Sequence, residues 1–584
     1  MACLLLAGCG RSGTPGGAES ARDREAARVN ALADAYVEAY FDHFPQQATL
    51  SGYTEGDHGR LSDNSLEGWA KWRAAEDDLL ARLRKVDATA LEGSPGETTY
   101  GFLRHQLESA VEFRACRMEL WNVSPTWTGW QSELALLAST QPISTPEERR
   151  AARERFARLP RYLEEEIHNL REGLRLGYSA PKTNVRAVIE QMDALLAAPV
   201  SESPFVGMAP DSFPAFRAEM EELERSALRP AIGRYRDFLR EVYLAAARQA
   251  VGVDANPDGD SCYRAAIRYH ATVRVDPREV HETGLREMAR IREEMRTVAR
   301  RSFGTDDVRG ALERLRTDPD FLFAGRSEMI EYARSAVHRS AEAVPEWFGR
   351  LPHSRVVVQA YPPFQEKSAP GGFYNPPAAD GSRPGIYLIN TYQAERQSRA
   401  NVEPTAFHET YPGHHLQGAI ALERTDLHPI SRFFFLSGFG EGWALYAERL
   451  ADEMGLYSSD VDRLGMLSAE AQRAARLVVD AGMHALGWTR RRAIDYLREN
   501  TALSRASAVA EVDRYIAVPG QATSYMLGSL EIQRLRELAE RAQAAEFDIR
   551  EFHDRVLEDG AVPLPLLARK IERWVSGPPE PVDG

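Results

Sequence analysis

Cysteine is scarce in this chain. Four occur in 584 residues (Cys3, Cys9, Cys116 and Cys262), too few for a disulfide scaffold, and no CxxC pair marks a zinc ribbon. Cys116 and Cys262 either pair or stay as two buried thiols. The sequence also lacks any apolar run of about 18 residues, the length a membrane-spanning helix needs. Nor is there an excess of positive charge. The 86 acidic side chains outnumber 72 basic ones, for a net charge of −14, which argues against a nucleic-acid binder that works by neutralising phosphates. Compositional bias is absent too: 43% hydrophobic and 27% charged residues exclude general disorder and a collagen-like fibre. The length exceeds the usual single domain, so two lobes or one large helical body are expected.

The amino terminus carries the first pattern. Leu6-Ala7-Gly8-Cys9 resembles a bacterial lipobox, in which small residues admit the peptidase and the cysteine thiol accepts a lipid. The Gly10–Gly17 stretch behind it, rich in Gly, Ser and Pro, suits a flexible tether. No basic residue precedes Leu4, so an apolar start with a chance cysteine is the competing reading. Residues 1–24 are expected to be signal and tether. The body would then work in the cell envelope, touching the membrane only through a lipid on Cys9.

Beyond residue 25 the rhythm is helical. Leu32, Tyr36, Ala39 and Tyr40 share one face, and Trp69 and Trp72 another. Ser144-Thr145-Pro146-Glu147-Glu148 supplies an N-cap, a first-turn proline and a capping glutamate for a helix running to about Gly173. Amphipathic stretches cover about 184–196, 213–248, 276–302 and 326–349. One region departs from this. Residues 354–392 hold two short β-branched or aromatic runs, Arg355–Gln359 and Gly385–Asn390, around a Gly/Pro-rich segment, Pro370–Pro377. They predict a small antiparallel sheet, either a packing ribbon or an edge able to align an extended peptide. The expected class is mainly α, with an N-terminal lobe over about 25–350 and a catalytic lobe over about 351–580.

The chemistry lies just after that sheet. Ala406-Phe407-His408-Glu409-Thr410-Tyr411-Pro412-Gly413-His414-His415-Leu416-Gln417 places three imidazoles beside a carboxylate. It approximates the helix in which histidines at i and i+4 bind zinc and the intervening glutamate activates water. Position i+4, however, is Pro412. On a straight helix His414 lies about 9 Å above His408 and about 240° around from it, and His415 about 10.5 Å above. Neither could share one zinc with His408 unless the chain bulges at Pro412-Gly413, where proline removes a donor and glycine permits a kink. Whether His414 or His415 returns to the site stays open. A third ligand is Glu441 in Gly440-Glu441-Gly442, whose glycines would let its helix approach the metal helix. Glu448, two turns on, could orient a ligating histidine.

His408-Glu-Thr-Tyr-Pro-Gly-His-His-Leu-Gln417 and Glu441-Gly-Trp-Ala-Leu-Tyr446 resemble a bacterial family called domain of unknown function 885. So do the later stretches Asp480–Thr489 and Arg514–Ala522. The resemblance covers most of the chain after about residue 25. It implies a gluzincin-type metallopeptidase, more remotely similar to the angiotensin-converting-enzyme, thimet oligopeptidase and carboxypeptidase Taq folds, with the site in a deep cleft.

Together these readings predict one zinc held by His408, by His414 or His415, and by Glu441. Glu409 serves as general base and acid for hydrolysis of short peptides. Asp480 and His484, at i and i+4, would pair so that the imidazole can donate or shuttle a proton. Tyr525 would donate to the oxyanion, as tyrosines do in the related gluzincin folds. Substrate contacts are expected from Tyr387, Asn390, Asp480 and Arg514. A zinc hydrolase of a non-peptide amide or ester, and a non-catalytic envelope binding protein, are the competing functions. His281-Glu282-Thr283-Gly284-Leu285 starts like a zinc motif but has leucine at i+4, so it reads as helix surface. Arg300-Arg301 and Arg490–Arg492 read as solvated faces.

Overall fold

Side-chain caps and prolines set where the helices begin. A computed structural model describes residues 20–577 except 54, 362–365, 367–369, 379, 380 and 382. The lipobox and Cys9 lie outside the described residues. Thr145 caps the helix Pro146–Phe156: its hydroxyl accepts from the Glu148 N–H, and the Glu148 carboxylate accepts from the Thr145 N–H, satisfying two end donors at once. The single long helix expected from this start breaks at 157–158 and resumes as Leu159–Leu176, ended by Gly177 at φ 86°, where a Cβ would be strained. Within the 213–248 stretch the chain is helical from Pro214 to Ala246 but contains two π turns, Glu224–Leu228 and Leu239–Tyr243.

The described chain is mainly helical around four hydrophobic cores. The helices Pro277–Phe303 and Asp460–Ala485 meet in one of them. A second joins Val29, Tyr36 and Phe102 to Trp443, Phe552 and Ile571, so the boundary expected near residue 350 does not divide the cores. A third draws its buried residues from Val123 to Ala247 alone. A disulfide between Cys116 and Cys262 flanks that third core in sequence.

The sheet has three strands, β1 (Val356–Ala360), β2 (Gly372–Asn375) and β3 (Gly385–Ile389), in the order β1-β3-β2. It is mixed, not antiparallel as expected. β3 runs parallel to β1 and antiparallel to β2, because the chain crosses to the far side of β3 to form β2 before returning. The crossing puts β3 in the middle with both backbone edges paired. Period-two alternation buries Val358, Tyr374, Tyr387 and Ile389 on one face and leaves Val357 and Phe373 exposed on the other.

Buried neutral histidines tie this body to pH. His553 accepts from the Tyr446 hydroxyl (2.8 Å) and donates to the Trp347 carbonyl (2.8 Å), and burial pulls its pKa down to about 3. Burial likewise lowers His105 and His270 to about 4. Such a group binds fewer protons folded than unfolded. Its stabilisation is complete above about pH 6.5 and is lost as pH falls from there toward the folded pKa. Resistance to urea should therefore fall steadily from pH 6.5 to 4. His553→Gln should flatten that slope by up to about 1.4 kcal/mol per pH unit; an unchanged slope would refute the assignment.

Candidate metal centre

Residues 402–423 fold as two helices, Val402–Glu409 and His414–Glu423. The sequence pattern predicted a bulge in one helix; the chain instead breaks completely. Pro412 cannot donate to a helix, and the Tyr411–Pro412 peptide is cis. A Cβ on residue 413 would lie 2.0 Å from the His408 carbonyl oxygen and 2.4 Å from that of Phe407, so only glycine fits there. The Gly413 N–H donates to the Phe407 carbonyl (3.0 Å), and the Thr410 hydroxyl donates to the Ala406 carbonyl (2.6 Å). From outside, the Trp443 indole N–H donates to the Pro412 carbonyl (3.0 Å). The turn brings the rings of His408 and His414 to 4.8 Å between centroids at 85°.

Glu441 reaches the same point from the helix Ser437–Glu453. Its Oε2 lies 3.5 Å from Nε2 of His408 and 3.5 Å from Nε2 of His414. One ligand atom from each of the three residues falls within 4.8 Å of the others. Tetrahedral donors around zinc, with bonds of about 2.0–2.2 Å, lie about 3.3–3.5 Å apart, so both spacings suit a shared ion. The His408 Nδ1–H donates to Glu448 Oε1 (2.8 Å). This partner fixes the tautomer and leaves Nε2 free to ligate.

His415 is elsewhere. Its Nε2–H donates to the Ser354 carbonyl (3.0 Å), and its Nδ1 lies 3.1 Å from the Tyr374 hydroxyl. Burial lowers its pKa to about 4. The alternative left open by the sequence thus falls to His414. The glycines around Glu441 also serve a different neighbour than expected. A Cβ on Gly442 would lie 2.6 Å from the backbone of Gly528, so the close approach is to the helix Ser524–Gln543 that carries Tyr525.

Charge is concentrated here. Burial alone would lower His408, but Glu441 and Glu448 hold its imidazolium up to about 9. Burial raises Glu409, opposed by His408 and His414. Glu441 is driven the other way: against burial, the two histidines hold it well below the usual carboxylate range.

The remaining predicted residues divide. Tyr525 is half-buried; after burial, the Glu441 charge is the next cause raising its pKa. The Arg514 guanidinium donates to Gln521 Oε1 (2.5 Å) and Glu511 Oε2 (3.0 Å). His484 is not brought to the site. It accepts from the Val253 N–H (3.0 Å) and donates to the Tyr515 carbonyl (3.0 Å), so both ring nitrogens are spent on backbone. The expected Asp480–His484 pair does not form. Asp480 Oδ1 instead accepts from the Tyr263 hydroxyl (2.6 Å) and the Gly520 N–H (3.0 Å). Tyr387 is fully buried in the sheet, and the Asn390 amide donates to the Glu366 carbonyl (2.8 Å). His281, read as surface, is half-buried and donates to the Val478 carbonyl (2.9 Å).

Two neighbours went unread. Arg473 lies 3.5 Å from Glu448, behind the His408 ring. Phe435 is 60% exposed with its ring 6.4 Å from that of His414. Nothing in a lone arginine or a Phe-Phe-Phe run announces either place.

Elemental analysis of the purified protein should find one zinc per chain. His408→Ala and His414→Ala should lose it, whereas His415→Gln should retain it. Glu448→Gln should weaken zinc about 10- to 100-fold. Zinc lost from His415→Gln but kept by His414→Ala would reverse the ligand assignment.

Solved structures share this architecture. A protein of Colwellia psychrerythraea named "putative lipoprotein" superposes with a TM-score of 0.87 at 27% identity, over 96% of this chain and 100% of that one. A "putative lipoprotein of unknown function" from Shewanella oneidensis superposes with a TM-score of 0.72 at 18% identity, over 93% of this chain and 100% of its own; at that identity it speaks to the fold alone. No curated protein matches the chain. Residues 45–571 match the model of the family described as bacterial protein of unknown function (DUF885), and the chain belongs to that family.

Proposed function

We propose that this protein is a zinc-dependent peptidase of the gluzincin type that hydrolyses short peptides in the cell envelope. One observation carries the reading: His408, His414 and Glu441 converge within ligand spacing, with Glu409 next to a ligand in the chain. A bound zinc would polarise the scissile carbonyl and lower the pKa of water toward about 7.

The chain's own groups supply the rest. The Glu409 carboxyl, raised by burial, is suited to take a proton from the attacking water and hand it to the leaving amine. Tyr525, under the influence of Glu441, donates its hydroxyl to the developing oxyanion. Side chains of His414 and Glu441 keep 14% and 15% of their exposure. A recessed site of that kind favours short flexible peptides over folded proteins.

An envelope location is supported by the name of the Colwellia relative and by the Cys116–Cys262 disulfide, since such bonds persist in oxidising compartments. One observation favours a second reading, a zinc hydrolase of non-peptide amides or esters. Both edges of β3 are paired, so the strand expected to align a peptide has no free edge.

Peptide and ester libraries with and without chelator separate these readings. Peptide cleavage should be chelator-sensitive and should fall about 10²- to 10⁴-fold in Glu409→Gln with zinc still bound. Ester cleavage alone would favour the second reading. Cleavage of neither library would end both and leave a binding protein, and full turnover in Glu409→Gln would remove Glu409 as the base.

A further inference from the structure

A short link, residues 434–436, joins the helix Pro429–Phe433 to the helix Ser437–Glu453 that carries Glu441. Its backbone is extended, with φ −101° and ψ 134° at Phe434 and φ −104° and ψ 109° at Leu436. Extended backbone sends successive side chains to opposite sides. Phe434 turns inward, its ring 4.9 Å from that of Tyr40, 5.8 Å from Tyr36 and 5.7 Å from Phe41. Leu436 is buried in the same core. With both neighbours anchored on that side, Phe435 has to point away from it.

Pointing away, it meets the candidate centre. Its ring lies 6.4 Å from that of His414. The edge of the ring rests on the backbone of Gly440, the residue before Glu441: a Cβ there would lie 2.3 Å from Cε2 and 2.7 Å from Cζ of Phe435. The three atoms nearest to that Cβ all belong to Phe435, so the missing side chain at 440 is what seats the ring. Seated in this way, Phe435 still keeps 60% of its exposure, more than any other large apolar side chain among the described residues. A lone exposed apolar group on an open surface calls for no explanation. This one is held by the backbone on either side and set against a ligand's ring, yet it offers the metal no donor and the reaction no proton.

We infer that Phe435 is a specificity-determining residue, whose open face packs against a large apolar or aromatic side chain on a substrate residue flanking the broken bond. Rings attract other rings in offset or edge-on contact at centroid separations of about 4.5–7 Å, and covering the exposed face removes apolar surface from water. The distance from Phe435 to His414 is shorter than two extended residues, about 6.6–7.2 Å. The side chain that Phe435 touches therefore belongs to a residue on one side or the other of the bond held at the centre. The inference rests on the peptidase reading for the cleaved bond, but not for the binding of the apolar side chain.

The test uses unblocked Ala-Ala-Phe-Ala-Ala and the same peptide with Gly or Glu in third place. On the zinc-loaded protein kcat/KM is measured and the cleaved bond is read by mass spectrometry; binding is measured by calorimetry on zinc-loaded Glu409→Gln. A bond flanking the phenylalanine should be cut about 10- to 100-fold faster than its glycine or glutamate counterpart, and the Phe peptide should bind more tightly by a similar factor. Phe435→Ala should bring both ratios near one while zinc content holds, and Phe435→Tyr, which keeps the ring, should keep them. Gly440→Ala, which unseats the ring, should lower the ratios in the unmutated chain and add nothing in the Phe435→Ala background. Equal binding and cleavage of the three peptides by the unmutated site overturns the inference. So does a Phe435→Ala variant slowed by one factor on all three, the mark of a ring that only supports the fold. Selective binding of the Phe peptide that vanishes with the ring, without cleavage of any peptide, would sink the peptidase reading and leave the apolar wall standing.

Discussion

The site depends on a four-residue interruption between two helices. A continuous helix through 402–423 would hold His408 and His414 about 9 Å apart along the axis, and no single ion could touch both. Three constraints keep the interruption in place. Pro412 withholds a donor from the helix, Gly413 alone can sit against the carbonyls of Phe407 and His408, and Trp443 anchors the Pro412 carbonyl. Trp443 lies on the same helix as Glu441, two residues further on. The helix that brings the carboxylate therefore also pins the turn that brings the second imidazole.

Charge bookkeeping around that turn explains why three acids can gather there. Glu409, Glu441 and Glu448 crowd two imidazoles and the guanidinium of Arg473. With neutral imidazoles the group carries a net charge of about −2, a heavy load in so desolvated a place. Protons on the histidines relieve it, and the raised His408 pKa expresses that demand. A divalent cation would relieve it equally well while leaving the imidazoles neutral.

Much of this was legible in the residues, and the failures have physical reasons. Helix starts were readable because caps are local: the Thr145 hydroxyl acts on a donor three residues away. The three site side chains were readable because imidazole and carboxylate clusters are rare, and the i to i+7 spacing of Glu441 and Glu448 correctly set both on one helix face. What failed was anything decided by distant packing. His484 looked free because nothing nearby in sequence told of Val253 and Tyr515, which lie 231 and 31 residues away. Gly442 looked like a spacer for the histidine helix, yet its neighbour is Gly528. The sheet was placed correctly along the chain but misjudged in direction, since strand order is set by a crossover that leaves no local trace.

The Cys116–Cys262 bond gives the architecture another meaning. Its two Cα atoms are 4.4 Å apart, so the polypeptide leaves and re-enters the body at nearly one point. Between them lies the bundle with a core of its own, Val123 to Ala247. That bundle is an excursion clasped at its neck, and it is held to the frame a second time by the buried Arg155, whose guanidinium donates to the Thr49 hydroxyl and the Asp57 carbonyl.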